Sequence, residues 1–126
     1  MEVGTSMISK VNLADKFGQF TDSWHPRIVG ELNDSYIKLA KLKGDFVWHK
    51  HLDEDEMFLV FKGELLIHLR DQDILLREGE SVVIPRGVEH FPVAEEEVHV
   101  LLLEPKSTLH TGDVVTDQTV TTKDWV

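Results

Sequence analysis

From residue 27 onward the chain alternates between short apolar runs and clusters of turn residues. Ile28, Val29 and Leu32 outline a first strand, and Asn33-Asp34-Ser35 supplies turn chemistry. Tyr36, Ile37, Leu39, Ala40 and Leu42 outline a second, closed by Lys43-Gly44-Asp45. Further strands are predicted at Phe46 to His51, Met57 to Phe61, Glu64 to Arg70, Ile74 to Arg77, Ser81 to Ile84, His90 to Val93 and Val98 to Glu104. The acidic run Glu95-Glu96-Glu97 reads as a turn between the last two. Turn signals recurring at about eight to twelve residues indicate an all-β sandwich or barrel, not alternating βαβ units. Ahead of this block, Asn12 can cap a short helix over Leu13 to Gln19, with Asp15 in its first turn. Residues 1–9 read as a leader. Residues 105–126 read as a tail with one possible strand at Val114-Val115. No linker or internal repeat divides the chain, so residues 1–126 are expected to form one domain.

Within that pattern, two histidines stand two apart. In extended chain, side chains at i and i+2 share a face, so His49 and His51 aim into one space. A turn through Leu52 to Asp55 can return Glu56 beside them. Two neutral imidazoles and a carboxylate, with positions left open, suit Fe(II), Mn(II), Zn(II) or a similar ion. A later stretch, Gly79 to His90, offers a third imidazole. There Pro85 and Gly87 break a strand and re-aim the chain, and a barrel would carry His90 to the other three.

These two stretches resemble the paired motifs of the cupin superfamily. In the first, four residues separate Gly44 from His49, one fewer than usual; four separate His51 from Glu56, and six separate Glu56 from Gly63. That last spacing selects Glu56 over Glu54 and Asp55. In the second, Gly79, Pro85, Gly87 and His90 all match, while Ala94 stands where the pattern has Asn. Fifteen residues lie between Gly63 and Gly79, as in small microbial cupins, among them those labelled similar to mannose-6-phosphate isomerase. The motifs cover residues 44–94. The resemblance implies a jelly-roll barrel, one divalent first-row transition metal (Fe, Mn, Zn or Ni) on His49, His51, Glu56 and His90, a small-molecule ligand and a homodimer.

Composition narrows the function classes. The 126 residues carry 13 Lys and Arg against 23 Asp and Glu, a net charge of −10 with no basic run. Binding to nucleic acid or an anionic membrane surface rests on basic residues, so neither is expected. The longest apolar runs, Met57 to Phe61 and Val100 to Leu103, fall far short of the ~18 residues of a membrane span. No Cys is present, which removes disulfides and thiol nucleophiles and fits a reducing cytoplasm. No signal-peptide pattern opens the chain.

The remaining polar residues have plainer expectations. Asp53, Glu54 and Asp55 read as a solvated turn. His68 reads as outward-facing, and His99 as facing either way. His25 and His110 fall in loops and read as plain loop residues, a place for His110 at the pocket rim being the less favoured alternative. Trp48, between the two ligand positions, faces away from them. Arg86 and Lys62 read as solvent-exposed. Met57 to Phe61 is apolar on both faces, which suggests burial against a second subunit. Two main functions follow: a metal-dependent enzyme carrying out oxidation, isomerisation or decarboxylation, with Glu56 able to move protons, or a non-catalytic sensor or carrier. A structural dimer without a metal is disfavoured because all four ligand positions are filled.

Overall fold

The computed structural model describes residues 8–114, 116, 119 and 123–126. It contains one short helix, α1 (Leu13–Phe17), and eight strands: β1 (Arg27–Leu32), β2 (Ser35–Asp45), β3 (Glu56–Lys62), β4 (Leu65–Leu69), β5 (Asp73–Leu76), β6 (Ser81–Ile84), β7 (His90–Pro105) and β8 (Asp124–Trp125). The all-β fold expected from the turn spacing forms, as the jelly roll that the resemblance implies. The strands run in the order β5-β4-β7-β2-β1-β8, with β3 joining β7 and β6.

Strand β7 joins the two parts of this sheet. Along one edge it pairs with β2, from Ser35↔Pro105 to Asp45↔Val93. Along the other it pairs first with β4, from Leu69↔His90 to Leu66↔Val93, and then with β3, from Lys62↔His99 to Met57↔Leu103. The change of partner falls at Glu95, Glu96 and Glu97. These acids were expected to form a turn; instead they lie inside one continuous strand. Between Leu42↔Val98 and Gly44↔Ala94 the three glutamates face the single residue Lys43, so the ladder bulges and the strand bends there. Gly44, at φ +82°, permits the matching distortion in β2, where the sequence suggested a turn.

Alternation along each strand decides what lies inside. On β7 the side chains of His90, Pro92, Ala94, Val98, Val100, Leu102 and Glu104 are all buried. Of these, Ala94, Val98, Val100 and Leu102 pack with Val60 of β3, Leu65 and Ile67 of β4, and Ala40 and Leu42 of β2 to form the barrel core. Completely burying an aliphatic side chain of this size contributes about 1.5–3 kcal/mol. A second, smaller cluster lies on the outside of the sheet, where Phe17 and Phe20 cover Leu39. Helix α1 is shorter than its expected span, but Asn12 caps it as predicted, its Oδ1 accepting from Asp15 N at 3.0 Å.

The strand expected over Phe46 to His51 does not form as a regular element. β2 ends at Asp45, and the next residues stay extended, tied to β7 by Phe46 N donating to Pro92 O at 3.0 Å and by an isolated His49↔His90 bridge. The tail secures their other side. Lys50 N donates to Asp113 Oδ1 at 3.1 Å, and Asp113 N donates to Lys50 O at 3.0 Å. Gly112, at φ +60°, passes so close that a Cβ would strike the Lys50 carbonyl. β8, which pairs parallel with β1, was not foreseen. Of the strand suggested at Val114-Val115, Val114 is irregular and Val115 lies outside the described residues.

Candidate metal centre

The period-2 argument for His49 and His51 holds even without a regular strand. Both are 3% exposed, while Lys50 between them is partly open. Trp48 points away, as expected, against Phe91 and beneath the Arg70 guanidinium, 3.7 Å above its ring. Glu56 is the first residue of β3 and His90 the first of β7, both on the inward face. All four predicted residues therefore converge. One donor atom from each lies within 4.8 Å of all the others.

The donors are already oriented. His49 Nδ1 lies 2.9 Å from Val47 O, and His90 Nδ1 lies 3.0 Å from Val88 O. Each carbonyl can only accept, so it fixes the Nδ1–H tautomer and leaves a bare Nε2 lone pair for the centre. Glu56 Oε1 is 3.3 Å from His51 Nε2 and 3.5 Å from His90 Nε2. Yet His51 Nδ1 and Nε2, His90 Nε2 and Glu56 Oε1 are buried without hydrogen-bond partners. Leaving such groups unsatisfied costs about 1–3 kcal/mol each. A divalent cation would engage the imidazole Nε2 and carboxylate donors together, so the residues fit a metal ion.

The electrostatics agree. Burial, followed by the neighbouring His90, pushes the pKa of His49 down to about 4, so it stays neutral and available as a ligand. Burial pushes Glu56 upward. The neighbouring Glu104, His51 and His90 side chains outweigh that and hold its carboxyl well below the usual range, as a carboxylate.

A family model described as a cupin domain matches residues 36–106, more than half of the chain. The chain belongs to the cupin family. A cupin-2 domain protein from Shewanella frigidimarina is 50% identical with a TM-score of 0.75, over 76% of this chain and 94% of that one. Protein NMB1881 from Neisseria meningitidis is 28% identical with a TM-score of 0.71, over 78% of this chain and all of that one. The uncharacterized protein YdbB of Bacillus subtilis is 41% identical over 63 residues, 49% of this chain and 56% of the relative. This cupin thus spans about half the length of the curated relatives it matches.

Two residues beside the centre escaped the sequence reading. Glu104 is fully buried, and its carboxyl meets that of Glu56. Burial, and then the Glu56 charge, push its pKa well above the usual range. Lys38 Nζ lies 2.8 Å from Glu104 Oε1. The signal was present in the alternation: Glu104 has the same parity as Val98, Val100 and Leu102, so a charged residue had to face the core.

The other candidates divide as follows. His110 is buried and lines a small apolar cavity beside His49 and Glu56, so it does reach the pocket. His68 faces outward to Asp73 at 2.7 Å. His99 also lies outside, stacked 4.7 Å from Phe17. His25 is held by Asp22 and Asp124. Arg86 and Lys62 are exposed. Phe61, at the edge of the apolar β3, stacks 5.4 Å from Phe17, so α1 covers part of the face assigned to a partner subunit. No helix among the described residues is long and apolar enough to cross a membrane.

Proposed function

We propose that this cupin is a metal-dependent enzyme acting on a small oxygen-rich metabolite by oxidation, isomerisation or decarboxylation. His49, His51, Glu56 and His90 would hold one divalent first-row transition metal (Fe, Mn, Zn or Ni). The supporting observation is the set of convergent, buried donors without partners beside a cavity. When bound, such an ion supplies Lewis acidity to a chelated substrate oxygen, and Fe(II) adds chemistry with dioxygen.

The protein's own residues do the rest. The Val47 and Val88 carbonyls hold two imidazoles in register. Trp24, Phe46 and Phe58 exclude water from the inner wall. Glu56 serves as ligand and as a carboxylate able to take a proton. Glu104 and Lys38 add a buried acid and ammonium beyond the ligand set. This pair beyond the ligand set supports the enzyme over the second reading, a sensor or carrier.

The reading extends to one domain over residues 1–126, a cytoplasmic setting and a homodimer. The dimer would use the outer face of β3 and β6, where Met57 pairs with Val83 and Val83 is 56% exposed. A monomeric mass by light scattering would count against it.

Elemental analysis of untagged protein tests the metal. Near-stoichiometric first-row metal is expected in the wild type and none in the His49→Ala/His51→Ala variant, with the β fold retained by circular dichroism. Full metal in that variant would refute the site. A wild type that stays metal-free after reconstitution would refute the enzyme reading.

A further inference from the structure

A larger cavity of about 240 Å³ opens beside the metal pocket, and Pro26 and His110 belong to the walls of both. Its character is different. Lys38, Lys106 and Lys123 line it, their ammonium groups 5.8, 5.2 and 5.3 Å from the centre of the Tyr36 ring. Three of the 13 basic residues of an acidic chain thus surround one aromatic ring. Such crowding of like charge is unfavourable unless anions offset it.

Two of the three are offset by the protein. Lys38 meets Glu104 at 2.8 Å and Lys106 meets Glu31 at 2.9 Å. Among the described residues, Lys123 has no carboxylate partner. Asp124, the acid on the cavity wall, is engaged by His25 at 2.7 Å. A second observation also calls for a ligand. Thr108 lines the same cavity, is 7% exposed, and its Oγ1 is buried with no hydrogen-bond partner.

We propose that this cavity binds the carboxylate of a small organic acid, whose other oxygens extend past His110 toward the metal centre. This names a substrate class for the site proposed above and rests on that reading. Lys123 and Lys106 would supply the charge, and the Thr108 hydroxyl a directed hydrogen bond. At about 30 Å³ per water, the cavity has the capacity of about eight waters, which suits an acid of about four to six carbons. A carboxylate fits better than a phosphate. Among the described residues no arginine, helix N-terminus or glycine-rich loop lines the cavity, and those are the elements that cradle phosphates.

The test is calorimetric titration of the full-length protein, metal-loaded and metal-free, with malate, gluconate, sorbitol and inorganic phosphate. Sorbitol is gluconate with a hydroxymethyl group in place of the carboxylate. The wild type is expected to bind malate or gluconate and not sorbitol. The Lys106→Met/Lys123→Met variant should weaken that binding at least tenfold, with an unchanged melting curve and metal content. Should the double variant unfold, Lys123→Met alone carries the comparison, with an expected loss of at least threefold. The proposal is overturned if neither acid binds, if the variant binds them as well as the wild type, or if only phosphate binds. Metal content separates the two readings. Lysine-dependent acid binding by a wild type that holds no metal keeps this inference and removes the metal enzyme. A metal-loaded protein that ignores both acids does the reverse.

Discussion

The inner face of the barrel is divided between two regions of opposite chemistry. Val60, Leu65, Ile67, Val98 and Val100 fill one with aliphatic side chains that are entirely buried. The other holds His49, His51, His90, Glu56, Glu104 and Lys38, which are also buried. The same strands build both. Moving along the inward positions of β3, Glu56 gives way to Phe58 and Val60; along β7, Glu104 gives way to Leu102, Val100 and Val98. Every buried side-chain atom found without a hydrogen-bond partner among the described residues belongs to the polar region or to Thr108 at its mouth. Stability is concentrated in the aliphatic region. The polar region carries a desolvation cost that its own contacts offset only in part.

The largest effect should come from the aliphatic side. Ile67→Ala is expected to lower the unfolding free energy by about 2–5 kcal/mol, read by urea denaturation. The metal content of the folded fraction should not change. Parallel loss of metal would show that the two regions are not separable.

A pH comparison sharpens the other side, using metal-free protein. Folded His49, with its pKa near 4, stays neutral where the unfolded residue at 6.5 is protonated, so its contribution falls as pH drops from 6.5 to 4. Glu104 has the opposite sign. Its raised folded pKa gives stability that is fully present below 4.5 and is lost as pH rises toward the folded value. Between pH 4.5 and 6.5 the two oppose each other. Glu104→Gln should therefore unmask a rise in stability with pH of about 1.4 kcal/mol per unit relative to the wild type. Identical pH profiles would contradict the assignment.

The smallest effect lies outside both regions. Asn12→Ala removes the α1 cap and should cost about 1 kcal/mol in a thermal melt, without touching metal content.

What the sequence revealed follows the same division. The four metal-site candidates were legible because their spacing is local within each motif, and His49 and His51 alternate whether or not the strand is regular. Strands β1 to β6 were legible from turn chemistry, whereas β8 was not. The course of β7 was not, because three consecutive glutamates signal a turn, and only the partner strand shows that they face one residue as a bulge. Glu104 and Lys38 went unnoticed because neither belongs to a motif. Their pairing depends on the register of β2 against β7, which places Lys38 opposite Leu102, two residues from Glu104. The lysine cavity is assembled from β1, β2, the segment that follows β7 and the start of β8, far apart in the chain.

The most direct measurement is X-ray absorption at the edge of the metal that co-purifies with the protein or reconstitutes it. The account predicts imidazole scattering from three histidines and one carboxylate oxygen, all at about 2.0–2.2 Å, with one imidazole fewer in a His90→Ala sample. A first shell of oxygen alone, or a spectrum that His90→Ala leaves unchanged, would contradict it.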